Sequence, residues 1–162
     1  MGYTLKIGEA IINTDVEYRT VEIDTNIERH PEAPAYGEPT DHESQRWPSY
    51  SSWADFCREV GLYELFLDRE SGIALIQNHP GAALLTEEVR QQINTALEKR
   101  RQEAEKAGKV TSYCDENPER KWEITCPDPC PKHDWQLCRL EWLAYWVNWA
   151  VDNCKCPVIV NS

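Results

Sequence analysis

Asp134-Trp135-Gln136-Leu137-Cys138-Arg139-Leu140-Glu141-Trp142-Leu143-Ala144-Tyr145-Trp146-Val147-Asn148-Trp149-Ala150-Val151-Asp152-Asn153 decides how the rest of the chain must be arranged. Asp134 is a good N-cap, and the helix it opens runs to about Asn153. Trp135, Cys138, Trp142, Tyr145, Trp146 and Trp149 recur at helical spacing along one broad face. Leu137, Leu140, Leu143 and Val147 widen that face nearly all round. A helix so apolar has to be enclosed, so it is central to the core or to a contact between two copies. That leaves a homo-oligomer open. The aromatic stripe reads as core before it reads as a ligand cage.

A second helix lies upstream. Thr86 is its N-cap, Glu87 and Glu88 sit in the first turn, where the helix dipole favours acid, and Gly108 suits the C′ position. It spans about 86–107, and Val89, Ile93, Ala96 and Leu97 form its buried stripe. Its last two turns are almost wholly polar and are expected to project into solvent. A third helix begins at about Ser51 or Ser52, where Ser52 and Asp55 resemble a capping box, and Gly61 ends or kinks it. Trp53, Phe56, Cys57 and Val60 are its apolar face, continued by Leu62, Leu65 and Phe66 as a further turn or a short helix. Asp68–Gly72 reads as a turn, and Ile73–Ile76 as a short buried strand or extended segment. Asn78-His79-Pro80-Gly81 forces a bend, with Gly81 free to take positive φ.

Residues 3–12 and 16–25 alternate imperfectly with period two and are rich in β-branched side chains, the pattern of a hairpin turning at Asn13-Thr14-Asp15. A hairpin alone is marginal, so it needs a further strand, and Lys121–Thr125 is a candidate. The expected fold is α+β: an N-terminal β-hairpin or small antiparallel sheet packed against about three helices. Residues 1–162 read as a single globular domain, with a long proline-containing loop over 26–49 and an irregular connection over 111–132.

The 162 residues carry 17 Lys+Arg and 28 Asp+Glu, so the formal charge is 17 − 28 = −11. Residues 1–81 hold 15 acids against 6 bases, and residues 82–162 hold 13 against 11. A phosphate backbone needs a basic stripe, so nucleic acid is disfavoured as a partner, whereas a basic protein patch is not. No apolar run has membrane-spanning length, and the N-terminus lacks the pattern of a signal peptide, so the expected location is cytoplasmic. The seven cysteines are an odd number and suit reduced thiols better than a disulfide framework.

Chemistry-bearing patterns are few. A Gly-x-Ser-x-Gly elbow, a glycine-rich phosphate loop, His-Glu-x-x-His and a calcium loop are all missing, so the reading leans away from an enzyme. Cys126-x3-Cys130-x2-His133-x4-Cys138 places four zinc-type donors within reach of one ion, although its spacing is not a common zinc pattern. The alternative is that these are ordinary thiols. The strongest candidate binding segment is Arg46-Trp47-Pro48-Ser49-Tyr50-Ser51-Ser52-Trp53, which puts rings, a guanidinium and hydroxyls at a helix start. In that reading Trp47 and Tyr50 stack on a base, Arg46 pairs with phosphate, and Ser51 and Ser52 donate at the helix end. Arg58 and His79 are lesser candidates. The competing reading places Trp47 and Trp53 in the core around the helix start.

The stretch from Trp47 to Leu62, together with His79-Pro80-Gly81 and Leu85-Thr86, resembles small uncharacterised proteins encoded by tailed bacteriophages and prophages, over about residues 45–100. The resemblance implies an accessory role in the host cytoplasm, directed at host defence. The function expected on these grounds is a non-catalytic counter-defence sponge that sequesters a small nucleotide-derived immune signal. The alternatives are an acidic inhibitor or DNA mimic acting on a host defence enzyme, and a small zinc-stabilised structural or regulatory protein.

Overall fold

The computed structural model describes residues 4–13, 22–34, 36, 42–109 and 133–162. In chain order the elements are β1 (Leu5–Asn13), β2 (Glu22–Thr25), β3 (Gln45–Arg46), α1 (Tyr50–Val60), α2 (Tyr63–Phe66), β4 (Gly81–Leu84), α3 (Glu87–Lys106), α4 (Trp135–Asn153) and β5 (Pro157–Asn161). The fold is α+β, as expected.

All strand pairs are antiparallel, in the order β2-β1-β5-β4. The short β3 pairs with β1 at Leu5 and Lys6, while β2 takes up residues 10–13 of the same strand. Ile7 lies opposite Ile159, and Ile159 opposite Ala83, so one apolar row crosses three strands. Glu9 fixes the turn into β5: its carboxylate accepts the N–H groups of Lys155 at 2.7 Å and Cys156 at 3.0 Å.

The hairpin forms, but in a different register. A turn at Asn13-Thr14-Asp15 would set Ile12 opposite Val16, whereas Ile12 lies opposite Ile23. An imperfect alternation specifies register weakly, and this explains the misreading. Residues 14–21 lie outside the described residues, as do the candidate strand Lys121–Thr125 and the whole connection 111–132. Among the described residues the sheet also contains β4 and β5, two strands the periodicities did not announce.

The helix α4 is the centre of the core. Leu140, Trp142, Leu143, Trp146, Val147 and Ala150 have no exposed surface, and they meet Leu5, Ile7 and Ile159 of the sheet and Trp53, Phe56 and Ile93 of the other helices. Asp134 caps it by accepting the Leu137 N–H at 3.0 Å. The helix α3 runs antiparallel to α4 in constant register, through Arg90 to Asp152, Asn94 to Asn148 and Arg101 to Glu141. Its final turns therefore do not project freely into solvent. Ala104 is buried, and Arg100 and Arg101 reach α4.

α1 begins one residue earlier than expected, and its cap is Ser49, whose hydroxyl accepts the Ser52 N–H at 3.2 Å. The expected Ser52–Asp55 box does not cap it, because Asp55 is engaged by Arg58 at 3.0 Å. Gly61 ends the helix at φ 77°, a conformation that a side chain would strain. Gly81 is different. Its φ is not positive; a Cβ there would lie 2.4 Å from the Asn78 carbonyl oxygen, so close approach rather than positive φ calls for glycine. Residues 73–76 are irregular rather than a strand, with a bend at Leu75, whose N–H donates to the Leu65 carbonyl at 2.7 Å; Ala74 and Ile76 are buried and Ile73 is exposed.

Candidate functional site

The chain between β2 and α1 works as a strap. Its two arms pair through the His30 N–H on the His42 carbonyl at 3.0 Å and the Ser44 N–H on the Glu28 carbonyl at 3.1 Å. Residues 35 and 37–41 of the strap lie outside the described residues. The outgoing arm starts over the sheet at Gly8, where a Cβ would lie 2.5 Å from the Asn26 carbonyl oxygen. The returning arm is fastened to α4, since the Trp142 indole donates to the Glu43 carbonyl at 2.9 Å.

The strap's direction decides the fate of Arg46. Arg46 pairs with Leu5, and residues directly opposite in an antiparallel pair share a face. Leu5 faces the core, so Arg46 does too, and it is only 3% exposed. Its guanidinium lies 5.1 Å from the Trp142 ring centre and 5.8 Å from that of Tyr36, and it donates to the Gln45 carbonyl. Arg139 approaches the same Tyr36 ring at 5.5 Å. Burial pushes the Tyr36 hydroxyl up to about 12 against the pull of the two guanidinium groups. Arg46 is thus part of a buried cation–aromatic stack, and the expectation that it offers its charge to a phosphate at the surface is corrected.

One and four residues further on, the opposite holds. Trp47 is 61% exposed and Tyr50 is 51% exposed. Trp53 is fully buried against Phe56 and Phe66. The competing sequence reading was therefore right for Trp53 and wrong for Trp47. Ser51 is exposed, with its hydroxyl 3.3 Å from that of Ser49. Ser52 is half-buried, and its N–H is already taken by the Ser49 cap. Arg58 is exposed on the outer side of α1, over the Tyr63 ring at 4.9 Å. His79 is exposed in the loop before β4. The aromatic pair Trp47 and Tyr50 is thus presented to solvent beside a helix start, without the guanidinium expected to accompany it.

A second cluster escaped the sequence reading. His30 on the strap packs between rings of α4, 4.7 Å from Trp146 and 5.1 Å from Trp149. The Tyr145 hydroxyl donates to Glu32 at 3.3 Å and lies within hydrogen-bond distance of His30 Nδ1, at 2.9 Å. Burial, with the Glu32 charge beside it, raises the Tyr145 hydroxyl above its usual range. The partners are more than a hundred residues apart, and the only signal in the sequence was a histidine in a loop facing an aromatic helix.

Of the four candidate zinc donors, Cys126 and Cys130 lie outside the described residues. His133 and Cys138 do come together, both buried, with Nε2 and Sγ 3.8 Å apart. The Trp135 ring stands edge-on to His133 at 4.3 Å. Among the described residues no group of three or more His, Cys, Asp or Glu side chains is placed to hold a metal. Burial pushes the Cys138 thiol up to about 12 and raises Cys57 further still, so neither is a nucleophilic thiolate at neutral pH as it stands.

No helix among the described residues is long and apolar enough to cross a membrane. No protein-family model, curated protein or solved structure matches the chain.

Proposed function

We propose that the protein is a non-catalytic binding protein that docks onto a basic partner protein through Trp47 and Tyr50. The observation carrying this reading is the division at β3: Arg46 turns inward while both rings beside it remain in solvent. Exposed Trp and Tyr are the side chains that most often anchor protein interfaces, because they bury a large area at small entropic cost. The excess of acid in residues 1–81 supplies the charge that steers toward a basic surface. On the resemblance to phage accessory proteins, the partner would be a host enzyme.

The test is capture from host lysate at low and high salt, with the wild type and the Trp47→Ala and Tyr50→Ala variants. A basic protein retained by the wild type and lost from both variants supports the reading. Retention of that protein by both variants, or no capture at low salt, removes it.

The nucleotide-sponge reading draws on the same two rings, which could stack on a base. It loses the guanidinium meant for the phosphate. Calorimetry with cyclic dinucleotides and ADP-ribose derivatives separates the two readings. Heat that disappears in Trp47→Ala would favour the sponge, and no heat leaves the protein-docking reading.

A further inference from the structure

We propose that Cys154 and Cys156 are a redox-active dithiol, closed to an intrachain disulfide by exchange with a small-molecule disulfide of the oxidised-glutathione type.

The described cysteines fall into two kinds. Cys57 and Cys138 are buried within α1 and α4, out of reach of a dissolved reagent. Cys154 and Cys156 are half-buried free thiols that flank Lys155 in the connection from α4 to β5. Thiol–disulfide exchange needs a sulfur that the incoming disulfide can reach, and among the described cysteines these two offer it.

The backbone holds the two residues in a shape that admits a bridge. Cys154 closes α4, with its N–H on the Ala150 carbonyl at 2.9 Å. The chain then bends at Lys155 and Cys156, and the Cys156 carbonyl accepts the Ala10 N–H at 2.9 Å. Two residues of fully extended chain span about 7 Å, and a bend shortens that toward the roughly 4.4–6.8 Å between Cα atoms that a disulfide bridges. Both backbones are already ordered, so closing the ring costs little further entropy.

Glu9 sits at the centre of the connection. Its carboxylate accepts the N–H groups of Lys155 and Cys156, and the Cys154 thiol hydrogen-bonds to it as well. Burial, with the Glu9 charge beside it, pushes the Cys154 thiol up to about 11. Cys154 therefore stays protonated until a base takes its proton, and the order of events follows. Cys156 loses its proton to water and attacks one sulfur of the small disulfide. That S–S bond breaks, and one small thiolate leaves with the electron pair. The Cys154 thiol then passes its proton to Glu9 and attacks the Cys156 sulfur, and the second small thiolate leaves and is protonated in turn. Two protein thiols are oxidised and one small disulfide is reduced to two thiols.

The test equilibrates the reduced full-length protein in glutathione buffers from fully reduced to fully oxidised, blocks free thiols and maps tryptic fragments by mass. Trypsin cuts after Arg139 and Lys155, so the disulfide is read as Leu140–Lys155 joined to Cys156–Ser162. Joined fragments that separate again in reduced glutathione are expected. Cys154→Ser should stop at a glutathione adduct on Cys156, and Cys156→Ser should leave Cys154 unmodified. Glu9→Gln should slow ring closure by about tenfold or more while the Cys156 adduct accumulates. Should Glu9→Gln fail to fold, the wild-type map and the two serine variants decide by themselves. Fragments that stay separate in fully oxidised glutathione overturn the proposal. Either fragment joined instead to a peptide holding another cysteine, or equal glutathione uptake at the remaining thiol of both serine variants, overturns it as well.

Discussion

Gln45-Arg46 and the rings of Trp47 and Tyr50 are near neighbours in the chain, yet they end in opposite environments. Arg46 is enclosed between aromatic rings, and Trp47 and Tyr50 are open to water. By residue type the order should be reversed, because a guanidinium is costly to bury and an indole is not. Two backbone hydrogen-bonding arrangements overrule residue type. Pairing with Leu5 turns Arg46 to the core side of β1, and the Ser49 cap starts a helix whose buried face begins only at Trp53. The cation is compensated by the ring faces of Trp142 and Tyr36 and by a backbone carbonyl. A segment of mixed composition therefore cannot be assigned to one site until the strand that precedes it has been placed.

Truncating the inner half should have the largest effect. Trp142→Ala removes a fully buried ring, the indole bond to Glu43 and one face of the Arg46 stack. It should cost about 3–5 kcal/mol in urea unfolding. Arg46→Ala should cost about 2 kcal/mol, from the lost cation–ring contacts and the space left behind. Were Arg46→Ala to leave the midpoint unchanged while abolishing ligand binding, the division between inner and outer halves would be wrong.

The far end of α4 gives a pH-dependent comparison. Burial alone would raise the Asp134 carboxyl, but the Arg100 hydrogen bond and the Leu137 N–H outweigh it and hold the group below its usual value. A lowered folded value means a contribution that is present above the unfolded pKa of roughly 3.9 and lost as pH falls through the folded value. The urea midpoint of the wild type should therefore drop below about pH 4 more steeply than that of Asp134→Asn. Parallel curves for the two proteins would show that Asp134 is not the group responsible.

Smaller effects sharpen the picture. Tyr145→Phe deletes the hydroxyl shared by His30 and Glu32 and should cost about 1 kcal/mol, loosening the strap without opening the core. Amide exchange at His30 and Ser44 should rise in that variant, while exchange within β5 stays slow. Trp47→Ala and Tyr50→Ala should change stability by less than about 0.5 kcal/mol, since both rings are already half or more in water. Their effect is expected on partner binding alone.

Much of the helical frame was legible. Thr86 and Asp134 are N-caps, Gly61 and Gly108 both adopt positive φ, and the apolar stripes of α1, α3 and α4 are buried apart from the half-buried Ala96, Trp135, Tyr145 and Trp149. Local rules suffice there, because caps and periodicity act within a few residues. The strands were harder. Val158-Ile159-Val160 in β5 was the one overlooked β-branched run with a clear signal, and Gly81–Leu84 offered almost none. Within the candidate segment 46–53, Trp47 and Tyr50 are exposed as the binding reading required, whereas Arg46, expected at the surface, is buried. The His30–Tyr145–Glu32 cluster was beyond reach, since it exists only where the strap crosses α4.

By itself, then, the sequence determined which long segments are helical, where α3 and α4 start, and that the helix from Trp135 to Asn153 had to be enclosed. These follow from interactions that span one or two turns. Only the tertiary structure decided the hairpin register, the recruitment of β4 and β5, the inward turn of Arg46 and the meeting of His30 with Tyr145. Each of these is a pairing between distant segments. Its outcome depends on which strand edge or helix face is already occupied, and no local pattern of residue types records that.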